Sequence, residues 1–529
     1  MSDELDFMSR LVAAQRLSRR DFLGRAAVLG VAAPMASLML SNAAQAAGPI
    51  KGGILRAGLV GGESTDGLDP AAINNQVRSS FARCWGEKLL DVADDGSLVP
   101  YLATEYGSSA DAKTWTFKIR KGVTFHNGKE LTAEDVRATI ERHAGAESKS
   151  GALGVLRGID TLKAEGDEFI ITLSEANADL PYLMTDYHLI IQPDGGKDDP
   201  EAGIGTGPYK IATHEPGVRE IGTRHDGYWA LDQRGHADQV EILVINDSAA
   251  RMAALRSGQV QMMNRVEPKV VELVKRLPGV TIQNITGSAH YAFAMQCITP
   301  PFDNNDLRLA LKYAIDRQEL VDKILGGYGT LGNDIPVNSA YPLFSDDIEQ
   351  RRFDPDKAAF HFKKSGHDGP IALQTSDVAF PGAVDAAQLF QQSAAKAGIK
   401  LDIQRMPGDG YWAEVWNVSP FSASYWVGRP TQDQQYSTAY TSSADWNETR
   451  FRRDDFDKMV VAARAELDEG KRKAIYRDMA MMVRDEGGAI IPVFNDWVDA
   501  VTDKVGGYKP HPAGELMSGL ALSSCWLQE

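Results

Sequence analysis

Cysteine is scarce in this chain of 529 residues: Cys84, Cys297 and Cys525 are its only three, and none stands in a CxxC pair. An odd total at such spacing excludes a disulfide framework. Two readings stay open, buried thiols acting as small core residues or one bridged pair in an oxidising compartment. Catalytic spacing is missing as well. There is no G-x-S-x-G elbow, no H-E-x-x-H, no S-x-x-K with its companion motifs and no G-x-G-x-x-G after a strand. The ten histidines, at 126, 143, 188, 214, 225, 236, 290, 361, 367 and 511, never recur at the i, i+4 spacing of a helical metal site. Beyond the first 46 residues no basic run occurs, and 56 Lys and Arg against 72 Asp and Glu leave a net charge of -16. That balance speaks against a phosphate-tracking surface, so nucleic acid is not an expected partner. No cofactor, metal or catalytic step is expected; the many carboxylates read as a solvated acidic surface.

What is present reads as soluble and globular, with 43% hydrophobic and 24% charged residues. The length exceeds one ordinary core and suggests more than one lobe. Residues 1–46 look like an address. Ser18-Arg19-Arg20-Asp21-Phe22-Leu23 is a twin-arginine pattern, an Ala- and Gly-rich span follows to Leu40, and Ala44-Gln45-Ala46 is a cleavage site. A membrane anchor is the alternative, but Gly24, Arg25, Gly30 and Pro34 interrupt the span. Removing 46 of 529 residues leaves 483 in the mature chain.

The stretch around which the rest is organised runs from Leu98 to Arg142. Trp115, Phe117 and Ile119 alternate with Thr116, Lys118 and Arg120, a half-buried strand. Asn127-Gly128 offers a tight turn. Thr132, three residues before Asp135 and ahead of Val136 and Ile140, opens a capped helix with one apolar stripe. His126 reads as a hydrogen-bonded turn residue and Trp115 as core. Hairpins are expected at Glu168–Leu173 and Leu189–Gln192, and Gly203-Ile204-Gly205-Thr206-Gly207-Pro208 reads as a turn, since proline follows the glycines directly. Further on, βαβ logic recurs. Asp247 caps a helix that Gly258 stops, and a helix at Pro268 leads to a strand Val280–Ile285. Asp316 caps another, Pro355 opens one closed at Gly366, and strands Ile371–Gln374 and Lys400–Arg405 flank helix Ala383–Ala397. After Ile490–Phe494 only 35 residues remain, too few for a domain.

The Trp115 strand, Arg120-Lys121-Gly122-Val123, Phe125-His126-Asn127-Gly128 and Leu131-Thr132-Ala133-Glu134-Asp135-Val136 together resemble the signature segment of the extracytoplasmic solute-binding proteins of peptide and nickel ABC transporters. The likeness extends through Gly205-Thr206-Gly207-Pro208-Tyr209, Leu307-Arg308-Leu309-Ala310 and Ala314-Ile315-Asp316-Arg317. It implies an α/β, two-lobe periplasmic binding protein type II fold with an extra subdomain in the first lobe. The boundaries expected are 1–46 signal peptide, 47–286 lobe 1 with the subdomain at about 85–204, 287–495 lobe 2, and 496–529 returning to lobe 1, with crossings near 287 and 495. The implied function is a monomeric periplasmic receptor. It would capture a peptide or other small, anionic organic solute and deliver it to a membrane permease and ATPase complex. A receptor for a nickel or iron chelate is one alternative, an exported hydrolase a remoter one.

Phe421–Thr449 crowds Tyr425, Trp426, Tyr436, Tyr440 and Trp446 among loop residues, too many large aromatics for idle surface. In the resembling family the corresponding loop faces the cleft, and dipeptide-binding members offer an aspartate there to the ligand's amino group. Here Val427-Gly428-Arg429-Pro430 stands in that place, with Asp433 later. Arg429 therefore either grips an anionic group or pairs with Asp433 four residues on. Trp426 is either cleft wall or core. Tyr187 and His188 are candidates from the subdomain, and Tyr291 and Trp497, near the crossings, are either hinge packing or contacts.

The address generates its own test. Arg19→Lys combined with Arg20→Lys should hold the precursor in the cytoplasm; normal periplasmic recovery of the double mutant, read by fractionation and immunoblot, would count against twin-arginine export.

Overall fold

The expected alternation folds as strands, and the strands gather into one large sheet in the computed structural model. It describes residues 21–22, 25–26, 48–145, 147–153, 156–377, 379–407 and 411–528. Arg19, Arg20 and the Ala44-Gln45-Ala46 site lie outside the described residues. Among the described residues the main sheet has eleven strands. On one side Leu401–Arg405 and Ile371–Thr375 run parallel, followed by Phe421–Trp426. On the other Ile54–Leu59 lies between Gln239–Val244 and Met262–Met263, parallel to both, and Arg219–Arg224 and Tyr209–Glu215 close the edge. Helix Ser248–Ser257 carries the chain from Gln239–Val244 to Met262–Met263; Asp247 caps it through Ala250 N, and Gly258, at φ 76°, ends it.

Between the two sides runs a ribbon of two long antiparallel strands, Val280–Met295 and Ala489–Thr502. The sequence marks only Val280–Ile285 and Ile490–Phe494 as strand, because Thr286-Gly287-Ser288 and Asn495-Asp496 look like turns. In the ribbon those residues face each other across a register shift between Thr286 and His290. Gly287 sits under Trp497, where an added Cβ would come within 2.6 Å of the indole Nε1, so only glycine fits beneath that ring.

Each side has its own core. Phe293, Leu311, Leu373 and Phe390 anchor the second lobe, and Leu55, Phe81, Trp85 and Ile242 the first. The signature segment builds a third, with Trp115, Phe117, Ile140 and Phe169 on a four-stranded sheet. The Thr132 side chain and Asp135 form the reciprocal capping box. His126 donates from Nε2 to Gly207 O at 2.9 Å, and burial pushes its pKa down to about 4, so it is a neutral turn residue. Leu189–Gln192 is not a hairpin strand. Ile191 N bonds Glu87 O at 2.9 Å, but Pro193, which has no N–H, follows at once and no ladder forms. All three cysteines are free thiols.

One buried charge cluster of the second lobe centres on Asp334. Asp334, fully buried, accepts from Arg317 Nη2 at 2.7 and 2.8 Å, from Arg351 Nη1 at 2.6 Å and from Ile491 N at 3.0 Å. These bonds tie the loop before Gln350 to the ribbon strand. Losing the carboxylate leaves Arg317 buried without a counter-charge and Arg351 with only Asp485, at 2.7 Å, and breaking such a cluster costs about 3 to 5 kcal/mol. Asp334→Ala should therefore lower stability by about that amount in urea unfolding, with Asp334→Asn intermediate.

Candidate functional site

A cleft of about 1210 Å³ opens between the lobes, floored by the residues around the ribbon's irregular middle. Strand Phe421–Trp426 delivers its wall in the second lobe. At its end Gly428 takes φ 77°, and a Cβ there would meet the Ser288 side chain at 2.3 Å, so glycine is needed for the turn that follows. That turn presents Arg429. Its backbone N–H donates to Tyr341 Oη at 3.0 Å, and Nη1 donates to Gly428 O at 3.1 Å. The guanidinium carbon lies 5.9 Å from the ring centroids of both Trp426 and Trp446, a cation held over indole faces. Thr431 then caps helix Gln432–Ala439.

The expected partner of Arg429 is taken. Asp433 accepts from Arg464 Nη2 at 3.0 Å and Nε at 3.1 Å, and Arg464 also donates to Ser437 Oγ at 2.7 Å. Among the described residues no carboxylate stands within ion-pair distance of Arg429. The i, i+4 pairing therefore does not form: a helix from elsewhere in the chain, Asp454–Ala465, supplies the cation for Asp433.

Trp426 and Tyr291 are corrections to the sequence reading. Trp426 is 6% exposed and does not line the cleft; its Nε1 donates to Glu448 at 2.9 Å inside an aromatic core. Tyr291 stacks flat on Phe380, centroids 4.2 Å apart, against the second-lobe core. Trp446, not Trp426, is the tryptophan of this wall that faces the cleft, at 49% exposure. Glu448, which the sequence did not single out, organises this wall. Its buried carboxylate accepts from Trp416 Nε1 at 2.6 Å, Trp426 Nε1 at 2.9 Å and Ser424 Oγ at 3.0 Å. Burial raises its pKa against those bonds. Its only sequence signal is a carboxylate set among aromatics.

On the opposite wall Tyr187 is 43% exposed and stacks on His188 at 4.1 Å. His188 lines the cleft but has no ring nitrogen free for a ligand: Nε2 donates to Ile73 O and Nδ1 meets Asp186 Oδ1, both at 2.7 Å. Trp497 lines the floor and donates from Nε1 to Pro512 O at 2.9 Å. Beside it Glu515 accepts from Asn264 Nδ2 at 2.7 Å and Arg265 Nε at 2.8 Å. Among the described residues no group of His, Cys, Asp or Glu is arranged to hold a metal ion. The arrangement can bind and enclose a solute.

The sequence signature described as bacterial extracellular solute-binding proteins, family 5, middle region, matches residues 97–448. The dipeptide-binding protein of Escherichia coli is 24% identical over 460 residues, covering 79% of this chain and 85% of that protein. The glutathione-binding protein GsiB of Pectobacterium atrosepticum is 24% identical over 491 residues, 85% of this chain and 91% of its own. The solved ABC transporter substrate-binding protein CtaP of Listeria monocytogenes superposes with TM-score 0.79 at 20% identity, over 90% of this chain and 100% of that one. The periplasmic binding protein DppA of Helicobacter pylori, in complex with the peptide STSA, does so with TM-score 0.72 at 22% identity, over 91% and 99%. NikZ of Campylobacter jejuni, in complex with Ni(L-His), gives 0.71 at 18% identity, over 87% and 96%. The fold is thus the two-lobe type II arrangement of periplasmic binding proteins.

The walls also touch at the cleft mouth. Asp179, 4% exposed at the start of the short helix Leu180–Leu183, accepts from Arg472 Nη1 at 3.0 Å and Tyr476 Oη at 3.3 Å on helix Glu469–Glu486. Next to it Ala178 N donates to Arg464 O at 2.7 Å. Burial outweighs Arg472 and, with Asp433 nearby, raises the Asp179 pKa from 3.8 to about 6. When the walls part, this carboxyl returns to water and its ordinary pKa, so contact takes up a proton. The sign follows: the contribution of Asp179 to contact is fullest below 3.8 and declines as pH rises through about 6. Radius of gyration from small-angle scattering should therefore increase between pH 5 and 8. Asp499 near the floor, raised to about 7 by burial, titrates in the same window, so Asp179→Asn is the control. It should flatten the Asp179 share of the slope, and an unchanged slope would show that the contact is not proton-linked.

Proposed function

This chain belongs to the bacterial extracellular solute-binding proteins of family 5, and we propose on that footing that it is the extracytoplasmic receptor of an ABC importer. It captures one small organic solute between its lobes and hands it to the membrane permease and ATPase complex. The E. coli relative is named for dipeptides, the Pectobacterium relative for glutathione, and the H. pylori neighbour holds a tetrapeptide. Peptides and peptide-like acids are accordingly the class carried over to this chain. Export through the twin-arginine pathway, a periplasmic location and a monomeric state complete the proposal. Lobe 1 comprises residues 47–286 and 496–529 with a subdomain at about 85–204, and lobe 2 residues 287–495; they close about the irregular middle of the ribbon.

The mechanism is a population shift. A solute that touches both walls does so only when they are close, so its differential affinity for that state drives closure. No bond is made or broken. The observation that carries the ligand reading is Arg429, a cleft-lining guanidinium without a carboxylate partner among the described residues. It favours an anionic group on the solute, gripped by two parallel hydrogen bonds. A metal chelate is the second reading, supported by the likeness to NikZ; such a chelate would bring its own ligands.

Glutathione and a panel of dipeptides to pentapeptides, titrated calorimetrically into the mature chain, test this. For any member that binds, Arg429→Ala should weaken affinity about tenfold to a hundredfold, since each tenfold is about 1.4 kcal/mol. The melting temperature of the empty protein should barely move. Arg429→Lys should restore only part, because a point charge lacks the planar fork. Loss of stability with unchanged affinity would assign Arg429 a structural role instead.

A further inference from the structure

Large aromatic side chains left half in water on rigid supports call for an explanation, and this cleft has one on each wall. Tyr187 is 43% exposed and Trp446 49%. Both line the cleft, Tyr187 from the first lobe and Trp446 from the second. Neither is a loose surface residue. Trp446 is braced edge-on by Trp416 at 6.0 Å and Trp426 at 6.1 Å, and both of those indoles are pinned by N–H donation to the buried Glu448. Tyr187 lies on His188, whose two ring nitrogens are both bonded. Their positions are fixed before any solute arrives.

Arg429 lines the same cleft, beside Trp446. Its guanidinium is 5.9 Å from the Trp446 ring, and its charge reaches the Tyr187 hydroxyl, where it opposes the rise in pKa caused by burial. Among the described residues only its Nη1 has a hydrogen-bond acceptor, Gly428 O. The fork of Nε and Nη2 is thus available to an incoming acid group. Two half-exposed aromatic side chains and one cation thus line one cleft, and a flexible aliphatic solute would use only the cation.

We propose that the cleft is built for a planar anion, a solute carrying an aromatic or heteroaromatic ring close to a carboxylate. The ring sits between Tyr187 and Trp446, and the carboxylate pairs with Arg429. This rests on the receptor reading and narrows it to a ligand class. It also gives closure a physical cause, because a ring is sandwiched only when the two walls approach, and stacked rings are stabilised in offset or edge-on geometry. Glu448 is then a positioning residue: it touches no solute, and it sets the orientation of the tryptophans that brace Trp446.

Calorimetric titration of the mature chain with benzoate, N-benzoylglycine and indole-3-acetate tests the class. Each is compared with a control lacking the ring, such as N-acetylglycine, and a control lacking the charge, such as N-benzoylglycinamide. At least one aromatic acid should bind, and at least tenfold more tightly than either control. Trp446→Leu and, independently, Tyr187→Leu should remove most of the ring's advantage while leaving that of the carboxylate; Arg429→Ala should do the reverse. Glu448→Gln should weaken the aromatic acid and leave N-acetylglycine unchanged. If ringless acids bind as well as ringed ones, or if peptides bind and the aromatic acids do not, the planar-anion assignment fails and the receptor reading stands. If neither the aromatic acids nor glutathione and the peptide panel bind, both fail.

Discussion

The ribbon of Val280–Met295 and Ala489–Thr502 is the constraint on which the other features depend. The first half of one strand and the last half of the other belong to the Ile54–Leu59 side of the sheet, and their remaining halves to the Phe421–Trp426 side. The ladder between the two strands is in register from Val280 to Thr286, shifts between Thr286 and His290, and shifts again between Tyr291 and Phe293. A sheet resists bending where its ladder is complete and yields where it is not. The proposed relative motion of the lobes would concentrate at the cleft floor, where Gly287 lies under Trp497 and Asn284 Nδ2 donates to Asp496 at 2.9 Å. A solute in the cleft would lie next to that bending point, so on the proposed mechanism a small displacement there would be amplified at the cleft's far side.

Electrostatics divides the cleft by the same economy. Asp433 is neutralised by Arg464, Glu515 by Arg265, and Asp91 by Arg83 and Lys88. Burial lowers the Lys88 pKa to about 8, yet Asp91 beside it still favours the charged form. With these neighbours paired, Arg429 has no carboxylate at ion-pair distance among the described residues, in a protein whose formal charge is -16. A cation facing a cleft in an acidic protein is informative because the surroundings would not otherwise attract an anion. The aromatic wall adds apolar, polarizable surface to that charge, and Glu448 accepts the hydrogen bonds that keep the wall in one arrangement.

Much of the fold was legible in the sequence because local rules and tertiary packing agree there. Thr132 with Asp135, Asp247, Asp316, Gly258 and Gly366 mark helix ends where the chain adopts them. The ribbon was underestimated because Thr286-Gly287-Ser288 has turn composition, and only the partner strand keeps it extended. Leu189–Gln192 misled in the opposite direction, since an apolar run has strand appearance whether or not a neighbour pairs with it. The site was harder. Trp426 and Trp446 are alike as residues, and the difference lies in which ring Glu448 draws inward. Asp433 had a plausible partner four residues away, but the geometry gave it Arg464, whose arrival depends on how two helices pack. Tyr291 stood near a crossing and proved to be core because Phe380 meets it from another element. Such distinctions arise from contacts between distant segments, and periodicity carries no record of them.

The central claim is that the two walls move together about the ribbon when a solute fills the cleft. Pulsed dipolar spectroscopy between spin labels at Lys163→Cys, on strand Ile159–Glu165, and Lys363→Cys, on helix Pro355–Ser365, reads this directly; both positions are exposed. Adding a solute that binds should shift the distance distribution between the labels and narrow it to one population. A distribution unchanged on saturation with a bound solute would contradict closure as the means by which this protein reports that it is loaded.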